Sequence, residues 1–223
     1  VQRLSLEAGF LRLIVQRIDV ARSAFLRRNA KMHRTETVVD DTLALEPLTI
    51  DDAKDQVRIY TDDLNRQLVD AVQEIRAYCE TYTGRTLRTE VTRELSMSEW
   101  PCRAFRLPWP PITYLSWIKY CDVNNTEQSV SEDDYSIIKS TDMYGIVEFV
   151  ADWVKPALYN RLDAVKIQYV TGYETRDAVP LEIKRAMKIL LSVEFDDVPP
   201  AREANAVGRA KAMLIAADLG AYG

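Results

Sequence analysis

Residues 169–187 read YVTGYETRDAVPLEIKRAM. The stretch starts as a strand, breaks at a glycine, passes through polar residues and enters a helix at a proline. Around its start, Val165, Ile167 and Tyr169 alternate with Lys166, Gln168 and Val170, the two-residue period of a strand with one buried face. Gly172 tolerates backbone angles that a Cβ resists, so the strand can stop or turn there. Pro180 suits the first turn of a helix, where its missing N–H has no partner to lose. From there Ile183, Met187, Leu190 and Leu191 fall at i, i+4, i+7 and i+8, with Glu182, Lys184, Arg185 and Lys188 on the other side. This is an amphipathic helix, and periodicity alone leaves open whether it packs on its own core or on a neighbouring subunit.

Upstream of the junction, β periodicity dominates. RTEVTRELSM (88–97) alternates, with Val91, Leu95 and Met97 in phase. FRLPWPPITYLSWIKYCD (105–122) reads as a short strand, a proline-stiffened corner and a longer strand, and Asn124-Asn125 marks a turn. DYSIIKS, GIVEFV and AVKIQYV supply three more strands, a spacing that predicts a small antiparallel sheet or sandwich.

Helical signals flank this region. Thr49 with Asp52 three positions later predicts a helix N-cap, with Leu48 just outside it. A longer helix is predicted from Asp63 to Tyr82, its apolar side made by Leu64, Leu68, Val72, Ile75, Cys79 and Tyr82, with Gly84 as a left-handed C-terminal cap. A last helix, Glu203 to Leu219, follows the break at Pro199-Pro200. The expected fold class is α+β: a helical bundle with an inserted small antiparallel β domain and a C-terminal helix. The expected domains are a basic amphipathic arm and linker (1–46), a helical domain (47–85 and 172–223) and a β-rich insert (86–171). Within the first of these, residues 33–46 show no sustained period and read as a polar, acidic linker.

The chain has 223 residues, 47% hydrophobic and 28% charged, enough to bury a proper core. It contains no run of about 18 apolar residues, and no secretory signal pattern, so no membrane partner is expected. Residues 1–34 carry a net +6, which leaves −11 on the remainder of a chain whose total is −5. In that head Leu4, Leu11, Val15, Ile18 and Phe25 trace a helical stripe, and Arg12, Arg17, Arg22, Arg27 and Arg28 make it a candidate basic arm for nucleic acid or an acidic partner. The plainer reading of the same charges is a solvated helix face. Met32 is an alternative start to the chain.

Catalytic chemistry is hard to assemble from these residues. His33 is the sole histidine, so metal sites and Ser/His or Cys/His pairs lack their usual members. Only seven glycines are present, with no phosphate loop among them. Cys79, Cys102 and Cys121 have neither zinc spacing nor an even count, which predicts reduced thiols. Cys79 lies on an apolar stripe and reads as a small core residue rather than a nucleophile. Acidic doublets at Asp40-Asp41, Asp51-Asp52, Asp62-Asp63, Asp133-Asp134 and Asp196-Asp197 sit at helix starts and turns, where capping explains them better than metal-dependent hydrolysis does. Trp100, Trp109, Trp117 and Trp153 have no basic cluster beside them and read as packing residues rather than a single-strand platform. The expectation is no enzyme, no cofactor and no metal.

Three stretches together resemble one family, the head–tail connector (adaptor, or head completion) proteins of tailed bacteriophages and prophages. They are LTIDDAKDQVRIYTDDLNRQLVDAVQEIRAYCETYTGRTL, with its long helix ending in aromatic-Thr-Gly-Arg; RLPWPPITYLSWIKYCD, with its Leu-Pro-x-Pro-Pro corner; and the opening junction, with Gly-Tyr closing a strand and Val-Pro starting a helix. The likeness covers residues 47–197. It implies a structural virion protein at the head–tail interface, assembled in the host cytoplasm. It also implies a closed homo-oligomeric ring of about twelve subunits. The implied partners are the portal protein on one side and a tail-side connector or stopper on the other, with genomic DNA passing without sequence recognition. In such proteins the last helix and tail reach toward the portal, which here singles out Val207, Arg209, Lys211, Met213, Leu214, Ile215 and Tyr222 as the expected portal interface. Two other classes stay open: a DNA-binding regulator using the basic arm, and a metal-dependent hydrolase using the acidic doublets.

Overall fold

The structure, a computed structural model, describes residues 33–141, 144–195 and 199–219. The expected basic arm, including Arg12, Arg17, Arg22, Arg27 and Arg28, lies outside the described residues, as do Asp196-Asp197 and Tyr222.

The helical part contains α1 (Ile50–Val57), α2 (Asn65–Thr83), α3 (Leu181–Phe195) and α4 (Pro200–Leu219). Helix α1 begins with a complete capping box: Thr49 Oγ1 accepts the Asp52 N–H at 3.0 Å, and Asp52 accepts the Thr49 N–H at 3.2 Å. Helix α2 ends at Gly84, left-handed at φ 68°, whose N–H donates to the Glu80 carbonyl at 2.8 Å. Helix α3 starts as its proline predicts, with the Pro180 carbonyl accepting the N–H groups of Ile183 and Lys184. Leu68, Val72 and Cys79 from α2 meet Ile183, Ala186, Met187 and Leu191 from α3 and Ala210 and Leu214 from α4 in one apolar core, which Leu48, Leu87, Tyr173 and Val179 complete. The question left by the α3 period is thus answered, because its apolar side faces its own subunit.

Among the described residues eight strands form two antiparallel sheets: β1 (Arg34–Asp40), β2 (Val91–Met97), β3 (Ala104–Leu107), β4 (Ile112–Cys121), β5 (Glu127–Ser129), β6 (Tyr135–Ser140), β7 (Gly145–Phe149) and β8 (Val165–Thr171). Five pair in the order β1-β2-β8-β4-β5 and three in the order β3-β7-β6. In β2 and β8 every second residue is buried, and the register sets Leu95 opposite Ile167 and Ile167 opposite Ile118. Those side chains share a second core with Leu107, Tyr135, Val147 and Phe149 from the smaller sheet. Trp153 stacks on Phe149 at 4.2 Å and meets Trp100 edge-on at 4.9 Å, so both tryptophans are packing residues. The fold is α+β, four helices and two antiparallel sheets among the described residues.

One boundary is corrected. Residues 33–46, expected as a linker, contain β1, which pairs with β2 along its length. All seven of its residues are exposed, so no buried face imposes a period on the sequence. Backbone pairing and a few side chains hold it instead: the Trp109 Nε1–H donates to Glu36 at 2.6 Å, and the His33 N–H donates to Ser98 Oγ at 3.0 Å. The last helix also begins earlier than expected, at Pro200, because the Pro199 carbonyl accepts the N–H groups of Arg202 and Glu203.

Candidate assembly interface

The opening junction is where helices and sheets are tied together. Gly172 has φ 118°, and a Cβ built on it would collide with the Arg88 carbonyl, so the position needs glycine. Its N–H donates to the Pro111 carbonyl at 2.9 Å, Thr86 and Thr171 join their hydroxyls at 3.0 Å, and the Tyr173 N–H donates to Arg88 at 3.2 Å. Beside it, Arg76 bridges Glu46 (2.8 Å) and Glu80 (2.6 Å), while Glu80 also accepts the Leu87 N–H at 2.8 Å. Burial raises the Glu46 pKa against the opposing charges of Arg76 and Arg88. This network is a clamp that fixes α2 to the start of the β region.

Several of the chemical candidates have a local structural partner or a buried, inert setting. Cys79 is fully buried, and burial pushes its thiol up to about 12, far from a reactive thiolate. The His33 ring bonds Thr35 Oγ1 at 3.0 Å. Among the acidic doublets, Asp52 caps α1, Asp62 pairs with Lys54 at 2.6 Å, Asp41 pairs with Arg88 at 2.7 Å, and Asp40 accepts the Thr42 N–H. No three His, Cys, Asp or Glu side chains gather as a metal site among the described residues. A polar hollow of about 250 Å³ is lined by Gln56, Val57, Arg58 and Ser192, with no nucleophile and base in it.

What the molecule offers is surface. Along α4 the expected portal residues divide. Leu214 is fully buried in the subunit's own core, Met213 packs on that core, and Val207 and Lys211 are half-buried. Leu214 therefore closes its own subunit and is not available to a partner. Arg209 and Ile215 are exposed. The outer face of the five-stranded sheet presents Tyr114, Trp117 and Val170, with the Lys119 ammonium 4.8 Å from the Trp117 ring. The loop between α1 and α2 projects Tyr60, 78% exposed, beside Asp62 and Asp63. Sequence reasoning missed Tyr60 as a surface feature, although an aromatic outside any apolar period was the available signal.

In sequence, no protein-family model and no curated protein matches the chain. In structure, it is similar to a chain from the neck of an empty gene transfer agent (GTA) particle computed with C6 symmetry, with TM-score 0.59 and 16% identity over 79% of this chain and 94% of that one. A chain from the virion of a native GTA particle gives TM-score 0.56 at 15% identity, covering 78% and 94%. One from the neck of a native GTA particle computed with C12 symmetry gives 0.52 at 15%, covering 75% and 93%. At such identities the likeness is one of fold.

Proposed function

We propose that this chain is a structural subunit of the neck of a phage-like particle, an adaptor that rings the DNA channel beneath the portal and joins it to the tail. The observation that carries the proposal is the fold match, which covers 79% of this chain and 94% of a neck chain. It agrees with the family resemblance of residues 47–197, and the C6 and C12 symmetries of those necks are compatible with a ring of about twelve subunits. The acidic body supports the channel role, since gripping DNA requires clustered Lys and Arg on the phosphates.

The portal contact is assigned to Ile215 and the residues that follow it in sequence, because Leu214 and Met213 are occupied by the core. Ile215→Asp tests it. The variant is expected to melt like the parent and to lose binding to portal-containing heads in co-sedimentation. Undiminished binding would remove the end of α4 from the portal interface.

A further inference from the structure

Two helix faces of this subunit carry opposite, unpaired charge. On the solvent side of α4, Arg202 and Arg209 are exposed and neither side chain makes an ion pair or hydrogen bond among the described residues. Between and beside them Ala204, Gly208 and Ala212 follow at four-residue steps, all exposed. A Cβ on Gly208 would meet nothing within 4 Å, so the subunit's own packing gives no reason for a glycine that weakens the helix. On the solvent side of α2, Asp70 and Glu74 are exposed and unpaired, with Asp63 in the same state just ahead of the helix; Arg66 is the basic residue among them. Both faces lie opposite the side chains that α2 and α4 bury in their shared core, on two different helices of the subunit.

We propose that these faces meet between neighbouring copies of this chain, the α4 face of one subunit seated on the α2 face of the next. The inference rests on the ring reading above and names the surfaces that make the ring. The charges are complementary in sign: Arg202 and Arg209, seven residues or about 10.5 Å apart along α4, would meet Asp70 and Glu74 on α2. Small residues on α4 allow the helices to approach closely, while the charges at their edge set the register. A contact between two different surfaces is head-to-tail, the type that closes into a ring by rotation.

The test uses two charge-reversed full-length proteins, R202E/R209E and D70K/E74K, with sedimentation velocity of wild type, each variant and their equimolar mixture. Each variant alone is expected to self-associate at least about tenfold more weakly than wild type, since like charges then face each other. The mixture is expected to recover association, because the acidic α4 of the first protein meets the basic α2 of the second in alternating order. All four positions are exposed and unpaired, so melting temperatures should match wild type. Should a reversal melt lower, R202Q/R209Q replaces it and is expected to weaken association less. Wild-type association in both variants, or loss in both without recovery on mixing, would overturn the assignment of faces while leaving the ring reading intact. A wild-type chain that associates neither alone nor on portal would overturn the ring reading itself.

Discussion

The Arg88 carbonyl accepts the Tyr173 N–H at 3.2 Å and fills the space that a side chain on Gly172 would need. The helical and β parts are joined through this contact, and it explains why the junction carries glycine. Gly172→Ala should destabilise the protein by at least about 1–3 kcal/mol for the backbone conformation alone, with the collision adding to it. Urea unfolding measures the loss, and a change within error would mean the junction relaxes freely.

Position 208 should respond in the opposite direction. Gly208 lies inside α4 with open space where its Cβ would be. Gly208→Ala should therefore stabilise the isolated subunit by about 0.5–1 kcal/mol. If α4 seats against a neighbour there, the same variant should also associate more weakly, a split that thermal melts and sedimentation together would reveal.

Adjacent residues on α4 should differ sharply. Leu214 is fully buried and Ile215 is 45% exposed. Leu214→Ala should cost about 2–5 kcal/mol of unfolding free energy. Ile215→Ala should stay within about 0.5 kcal/mol of the parent, as exposed substitutions do. Equal losses at both positions would mean that α4 is packed differently.

Asp52 gives the protein an acid limit. Burial works against its ionisation, but hydrogen bonds from Lys188 (2.9 Å) and Thr49, with the Lys188 charge, prevail and bring its pKa down to about 2. A depressed carboxylate contributes stability that is present above its ordinary value of 3.8 and is lost as pH falls toward 2. Removing the partner in Lys188→Met should flatten this loss in melts taken between neutral and acid pH. An unchanged acid slope would show that the α1–α3 tie contributes nothing.

The two cores predict separable parts. Leu87 and Tyr173 belong to the helical core, and their neighbours are hydrogen-bonded across the junction. Replacing residues 88–171 with a short Gly/Ser linker should leave a helical protein with a cooperative melt. An excision beginning at residue 86 would take Leu87 with it. An unfolded product from the 88–171 replacement would show that helices and sheets fold only together.

Most of this fold can be read from the chain because its elements bury alternate or stepped side chains. Val165, Ile167 and Tyr169 are all fully buried, and Thr49 and Asp52 make the cap their spacing predicts. Strand β1 was illegible for the opposite reason: RTETVVD buries no residue, so its place in the sheet is set by β2. Strand β5, three exposed residues, left no pattern either. At the candidate interface the difficulty was one of direction. Val207 and Leu214 lie two turns apart on one side of α4, and an apolar strip reads the same whether it faces a partner or its own core. Arg202, Arg209, Asp70 and Glu74 became informative only once the structure placed them on outward faces without partners.

On the function proposed above, copies of this chain build a rotationally symmetric neck ring. Electron microscopy of the purified full-length protein mixed with the portal protein of its own particle tests it most directly. The expected image is a ring of this chain seated coaxially on the portal, with helix α4 at its portal side. A stable two-fold dimer, with or without portal, would contradict it, because a self-paired interface leaves no second surface from which a ring can grow.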